Sequence, residues 1–169
     1  MLTDRDLSIN IRRFCAPDLE GVLELISHID SPNDLTPTAR AQFLREFDQP
    51  RDEEGRFVAT YNGIIVGTMG CAPGPIPSKQ VLWLDWLVVA PNYRRCHVAS
   101  LLYRKIEELA IDIDKRCLCL DLGNIDGQRA AYLFHLKNGF QVVGQIPDYW
   151  GALQHLNIMA KFLLYRNPT

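Results

Sequence analysis

The segment Leu87-Val88-Val89-Ala90-Pro91-Asn92-Tyr93-Arg94-Arg95-Cys96-His97-Val98-Ala99-Ser100-Leu101-Leu102 gathers residues able to hold an anion. An apolar run rich in β-branched residues stops at Pro91, which cannot continue an inner strand. A basic turn follows, and from Val98 the apolar residues Leu101, Leu102, Ile106, Leu109 and Ile113 recur at helical spacing. Strand, tight turn and amphipathic helix put the turn at a helix N-terminus, where backbone N–H groups lack partners and the dipole is positive. Arg94, Arg95 and the backbone of the turn could receive a phosphate there. The same residues also suit an ordinary strand-to-helix connection with two solvated arginines.

Asp85 is the second group that could do chemistry. It interrupts the apolar strand ahead of the turn and is expected on the same face as Trp83 and Leu87. An acid set among tryptophans and leucines is either a paired structural carboxylate or a functional one, such as a general base.

The bulk numbers narrow the function classes. The chain has 169 residues, read as one domain over 1–169 and long enough to bury a core. Hydrophobic residues make up 47% and charged residues 22%, the balance of a soluble globular protein. The net charge of −2 provides no basic field for nucleic acid, and the arginines are scattered. Asp4, Arg5 and Asp6 interrupt any early apolar run, so no signal peptide is expected. The longest apolar run is too short to span a bilayer. The five cysteines form no Cys-x-x-Cys pair, so reduced thiols in a cytoplasmic protein and no metal site are expected.

The elements that must position these groups can be read in order. Ser8 to Phe14 alternates as a first strand, and Pro17-Asp18 opens a helix with Leu19, Val22, Leu23, Ile26 and Ile29 on one side. A second helix runs from Thr36-Pro37 to about Phe47. Arg56 to Tyr61 and Ile64 to Ala72 form a hairpin around Asn62-Gly63. After a stiff loop at Pro73 to Ser78, Gln80 to Val89 leads into the basic turn and its helix. Cys117 to Leu122 returns as a buried parallel strand by a right-handed crossover. Asp126 to Asn138 is the last helix, closed by Gly139 as a left-handed cap. Phe140 to Ile146 and Asn157 to Leu164 are closing strands, with Pro147-Asp148-Tyr149-Trp150-Gly151 as the loop between them.

Two motifs in this order resemble the GNAT acetyltransferase superfamily. Arg94-Arg95-Cys96-His97-Val98-Ala99 is similar to its turn of Arg or Gln, two residues, Gly, one residue, then Gly or Ala. Here His97 stands where the family has glycine, which lets a backbone approach a pyrophosphate closely. If the φ of His97 is helical, its N–H can still donate. Asn124, Ala131 and Phe134-His135-Leu136-Lys137-Asn138-Gly139-Phe140 resemble a second family block. The element order β-α-α-β-β-β-α-β-α-β-β matches the family throughout, although the first fifty residues match by pattern alone.

The resemblance implies an α/β (α+β) GNAT fold: a mixed sheet of about seven strands, its parallel central pair splayed to admit coenzyme A, flanked by about four helices. It implies acetyl-CoA as co-substrate, with Leu87, Val88 and Val89 pairing the pantetheine and the Val89 N–H polarising the thioester. Arg94, Arg95, Cys96, His97, Val98 and Ala99 would cradle the pyrophosphate. Asn124 would bond the cofactor arm, or else cap the following helix. His135 occupies the slot of the family's tyrosine acid, where an imidazole could protonate the leaving thiolate or simply pack. Tyr132 and Tyr149 are reserve acids. Trp83, Tyr149 and Trp150 are candidates for lining the acceptor site, and the aromatic pair could equally close the sheet edge. The implied activity is N-acetylation of a small-molecule or peptide amine by direct attack. A coenzyme A-binding or protein-interaction module without turnover is the alternative, and the family allows a homodimer.

Overall fold

The computed structural model describes residues 8–163 apart from 30, 32, 52 and 77. Outside them fall Asp4–Asp6, residue Pro32 of the first helix break, Pro77 of the proline loop and Leu164 of the last expected strand. The strands are β1 (Asn10–Arg13), β2 (Gly55–Tyr61), β3 (Ile64–Ala72), β4 (Val81–Val89), β5 (Cys117–Leu122), β6 (Gln141–Gly151) and β7 (Gln154–Phe162). The α-helices are α1 (Leu19–Ile26), α2 (Thr36–Asp48), α3 (Val98–Asp112) and α4 (Arg129–Lys137). The sheet has seven strands in the order β1-β2-β3-β4-β5-β7-β6, and this mixed α/β architecture agrees with the expected fold. No helix among the described residues is long and apolar enough to cross a membrane.

The chain divides into two units, one of residues up to Ala72 plus Asp85–Leu109, the other of Pro73–Leu84 plus the chain from Ala110 onward. In the first unit, β1, β2 and β3 pair antiparallel. The hairpin turn takes φ of +50° at Asn62 and +79° at Gly63, the left-handed pair an Asn-Gly turn supplies at little steric cost. Helix α2 starts where the Thr36 N–H donates to Asp34 Oδ1 over 2.9 Å. Val22, Leu23, Leu25 and Ile26 of α1 pack with Ala39 and Phe43 of α2 onto Val58 and Val88. At Gly67 a Cβ would sit 2.8 Å from Val98 Cγ1, so a missing side chain lets α3 lie close on β3.

In the second unit, β4 pairs in parallel with β5 from Val81–Cys117 to Trp83–Cys119. Strand β5 pairs antiparallel with β7, and β7 with β6. Helix α4 ends in a Schellman motif: Gly139 has φ +88°, its N–H donates to Leu136 O and the Phe140 N–H donates to His135 O.

Some expected boundaries move. The first strand shrinks to four residues, and α4 begins at Arg129 instead of Asp126. The larger correction concerns Pro147 to Gly151, which is strand and not loop. Strand β6 is the last in the sheet order, where proline removes no ladder bond on the unpaired side, and its pairing shifts register between Ile146 and Gly151.

Candidate active site

The sequence-predicted residues fall on both units. In the first, the decisive feature is Trp86, whose φ of +46° breaks the strand period of β4. Asp85 and Trp86 both reach Gln42 on α2, so two successive residues share a face. Trp86 and Val88 both pack on the α1–α2 core, which turns Leu87 to the other face. The expectation that Asp85 and Leu87 share a face is corrected by this bulge.

Asp85 is a paired carboxylate. Its Oδ1 accepts from Arg56 Nη2 at 2.8 Å and its Oδ2 from Gln42 Nε2 at 2.7 Å. Arg56 is 2% exposed at its side chain, lies over the Phe43 ring and also binds Glu46 through Nε and Nη2. Arg56 faces Gly70 in the β2–β3 register, and a Cβ at Gly70 would lie 2.3 Å from Asp85 Oδ1 and 2.6 Å from Arg56 Cζ. The Asp85 side chain stays 27% exposed, so the carboxylate keeps an edge open to solvent. Sequence reasoning missed Arg56, Glu46 and Gln42. The available signal was an arginine next to the apolar run Phe57-Val58-Ala59, which needs an acid if that strand is buried.

The basic turn is exposed at Arg94, Arg95 and His97. His97 has φ +58° and Arg95 φ +64°, so the conditional of a helical φ at His97 is not met. The histidine takes the left-handed conformation a glycine adopts freely. Arg94 Nε donates to Val89 O at 3.3 Å, tying the turn to the end of β4. The His97 carbonyl accepts the first bond of α3 from the Leu101 N–H. The first N–H groups of this fifteen-residue helix follow on at Val98 and Ala99. A cavity of about 130 Å3 lined by Arg13, Phe14, Glu46, Glu54 and Arg56 holds none of the predicted site residues.

In the second unit, Trp83 lies against Gly74, where a Cβ would sit 2.2 Å from its Nε1. Asn124 is half-buried and does not cap α4, whose N-cap is Gln128. The neighbouring Gly123 is fixed on both sides: its N–H donates to Gln128 Oε1 and its carbonyl accepts from the buried Asn157. His135 is 5% exposed, sits edge-on to the Phe134 and Phe140 rings, and has no partner for Nδ1. Burial pushes its pKa down to about 4, which keeps the imidazole neutral at physiological pH. Tyr149 and Trp150 are exposed and meet each other edge to face at 4.6 Å.

The sequence pattern of the Acetyltransferase (GNAT) family matches residues 19–140. No protein of curated function matches. Among solved structures, a GNAT-family protein from Desulfovibrio desulfuricans is 16% identical with a TM-score of 0.82, covering 92% of this chain and 99% of that one. A Salmonella typhimurium protein, solved with its cofactor acetyl-CoA, is 17% identical at TM-score 0.74, covering 96% and 98%. The aminoglycoside 6'-N-acetyltransferase of Enterococcus faecium is 20% identical at TM-score 0.73, covering 94% and 99%.

Proposed function

The chain belongs to the acetyltransferase (GNAT) family, and from that premise we propose that it transfers an acetyl group from acetyl-CoA to a primary amine by direct attack. The observation that carries this reading is the turn at Arg94–Ala99. Two residues held left-handed, two exposed arginines and the start of a long helix make an anion cradle of the kind a diphosphate needs. Leu87, Val88 and Val89 are the proposed backbone partners of the pantetheine, with the Val89 N–H as oxyanion donor. Asn124 is the proposed contact of the cofactor arm.

In the proposed reaction the neutral amine nitrogen bonds to the thioester carbon, the C–S bond breaks, and the second proton that nitrogen sheds on becoming an amide passes to solvent water. Asp85 takes the ammonium proton through a water, Arg56 and Gln42 fixing its orientation while its exposed edge stays reachable. His135 has no proton-transfer role in this scheme because it is buried and neutral. The thiol reference pKa of about 8.5 lets coenzyme A leave as thiolate without a dedicated acid. Trp83, Tyr149 and Trp150 are proposed to recognise the acceptor, and the five free cysteines fit a reducing cytoplasm.

A second reading, a coenzyme A-binding module without turnover, is favoured by the double engagement of the Asp85 carboxylate. Thiol release from acetyl-CoA against aminoglycosides, polyamines and peptides separates the two. Arg94→Glu should weaken acetyl-CoA binding about tenfold or more. Asp85→Asn should lower kcat about a hundredfold and leave acetyl-CoA affinity unchanged. An unchanged affinity in the first variant removes the turn from the cofactor site, and equal loss of rate and affinity in the second removes Asp85 from the base role.

A further inference from the structure

We propose that Gln42 is a positioning residue that clamps the β4 bulge and so sets the backbone of Leu87–Val89 for the transfer reaction; this rests on the acetyltransferase reading above. One amide spans the bulge. Its Oε1 accepts from the Trp86 indole N–H at 2.8 Å, and its Nε2 donates to Asp85 Oδ2 at 2.7 Å and to Glu46 Oε1 at 2.9 Å. Trp86 at φ +46° is a bulky residue in a region such residues avoid, and such a conformation persists only where its surroundings hold it. The indole also stands edge-on to Phe43, one position along α2 from Gln42.

The consequence follows from strand parity. If Trp86 relaxed to an ordinary extended φ, Leu87, Val88 and Val89 would each be driven toward the opposite face. The backbone groups proposed to meet the thioester would then turn with them. Gln42 opposes that slip from outside the sheet, and the Glu46–Arg56–Asp85 chain fixes the other side of the same residue pair. Displacements of about 1 Å in positioning groups can cost about a hundredfold in rate.

The test compares Gln42→Leu, Trp86→Phe and the double variant with the parent protein. Trp86→Phe keeps an aromatic ring against Phe43 and removes the indole N–H together with the five-membered ring that carries it, and the unchanged exchange expected in β2 separates loss of the clamp from general loosening, so it tests the clamp even if Gln42→Leu fails to fold. Amide hydrogen exchange over Leu87–Val89 is measured in the free protein, and kcat and the KM for acetyl-CoA are measured against the best acceptor amine. Exchange in this segment should rise about tenfold while exchange in β2 stays unchanged, kcat should fall about tenfold, and the double variant should be no worse than the poorer single one. Unchanged exchange overturns the clamp. Raised exchange with unchanged kcat reduces Gln42 to a structural residue and overturns its role in the reaction. If the parent protein neither binds acetyl-CoA nor releases thiol, the acetyltransferase reading falls and the positioning role falls with it, whereas exchange still tells whether the bulge is clamped.

Discussion

His97 stands where the family pattern has glycine, and it takes a backbone conformation that glycine favours. The backbone stays left-handed at φ +58°, at a cost of about 1–2 kcal/mol for a side chain with a Cβ. His97→Gly removes that strain but gives the unfolded chain more freedom, so its stability should stay within about 1 kcal/mol of the parent. His97→Val, β-branched at the same φ, should cost about 2 kcal/mol more than His97→Gly in urea unfolding. Equal midpoints for the two variants would mean the left-handed backbone is not held. From the sequence, the turn was legible because it is local. Asp85 was legible as an acid out of place, but its partner was not: Arg56 lies 29 positions away and meets it only through the sheet register.

At the scale of elements, Gly70 is the position on which the buried ion pair depends. It lies opposite Arg56 in the ladder, and its missing side chain is the space that Asp85 and Arg56 share. Gly70→Ala should therefore destabilise the fold by about 1–2 kcal/mol, because it pushes Asp85 away from Arg56, which then keeps Glu46 as its remaining partner. Circular dichroism melts would read this as a fall in midpoint, and an unchanged midpoint would show the pair to be dispensable. Helices α1, α2 and α3 and the β2–β3 hairpin could be read from periodicity and turn chemistry. The bulge in β4 could not, because no glycine marks it and Trp86 gives no local hint of a positive φ. In the sequence β6 reads as ending before Pro147, because proline is a strand terminator, and its place at the end of the sheet order makes the proline tolerable.

For the molecule as a whole, His135 links folding to pH. Its pKa is about 4 in the folded chain and 6.5 for an ordinary histidine, so the unfolded chain binds the extra proton between those values. Stability from this source is complete above about pH 6.5 and is lost as pH falls toward 4, by up to about 3 kcal/mol. Urea midpoints measured from pH 7.5 to 4.5 should fall steeply in the parent and much less in His135→Phe. Parallel curves would show that His135 is not what senses acid. Family membership was legible from two spaced motifs and the order of elements, but the burial of His135 was not readable, because sequence spacing does not report burial.

Strand β6 closes the sheet order with Val142, Val143, Ile146, Tyr149 and Trp150 all exposed. A long apolar rim of this kind would ordinarily invite other chains to add strands and grow into fibres. Pro147 offers no N–H to such a templating strand, and the register shifts at Val142–Gly144 and Ile146–Gly151 cut the rim into short runs. The same proline that hides the strand from sequence reading thus guards the protein against aggregation.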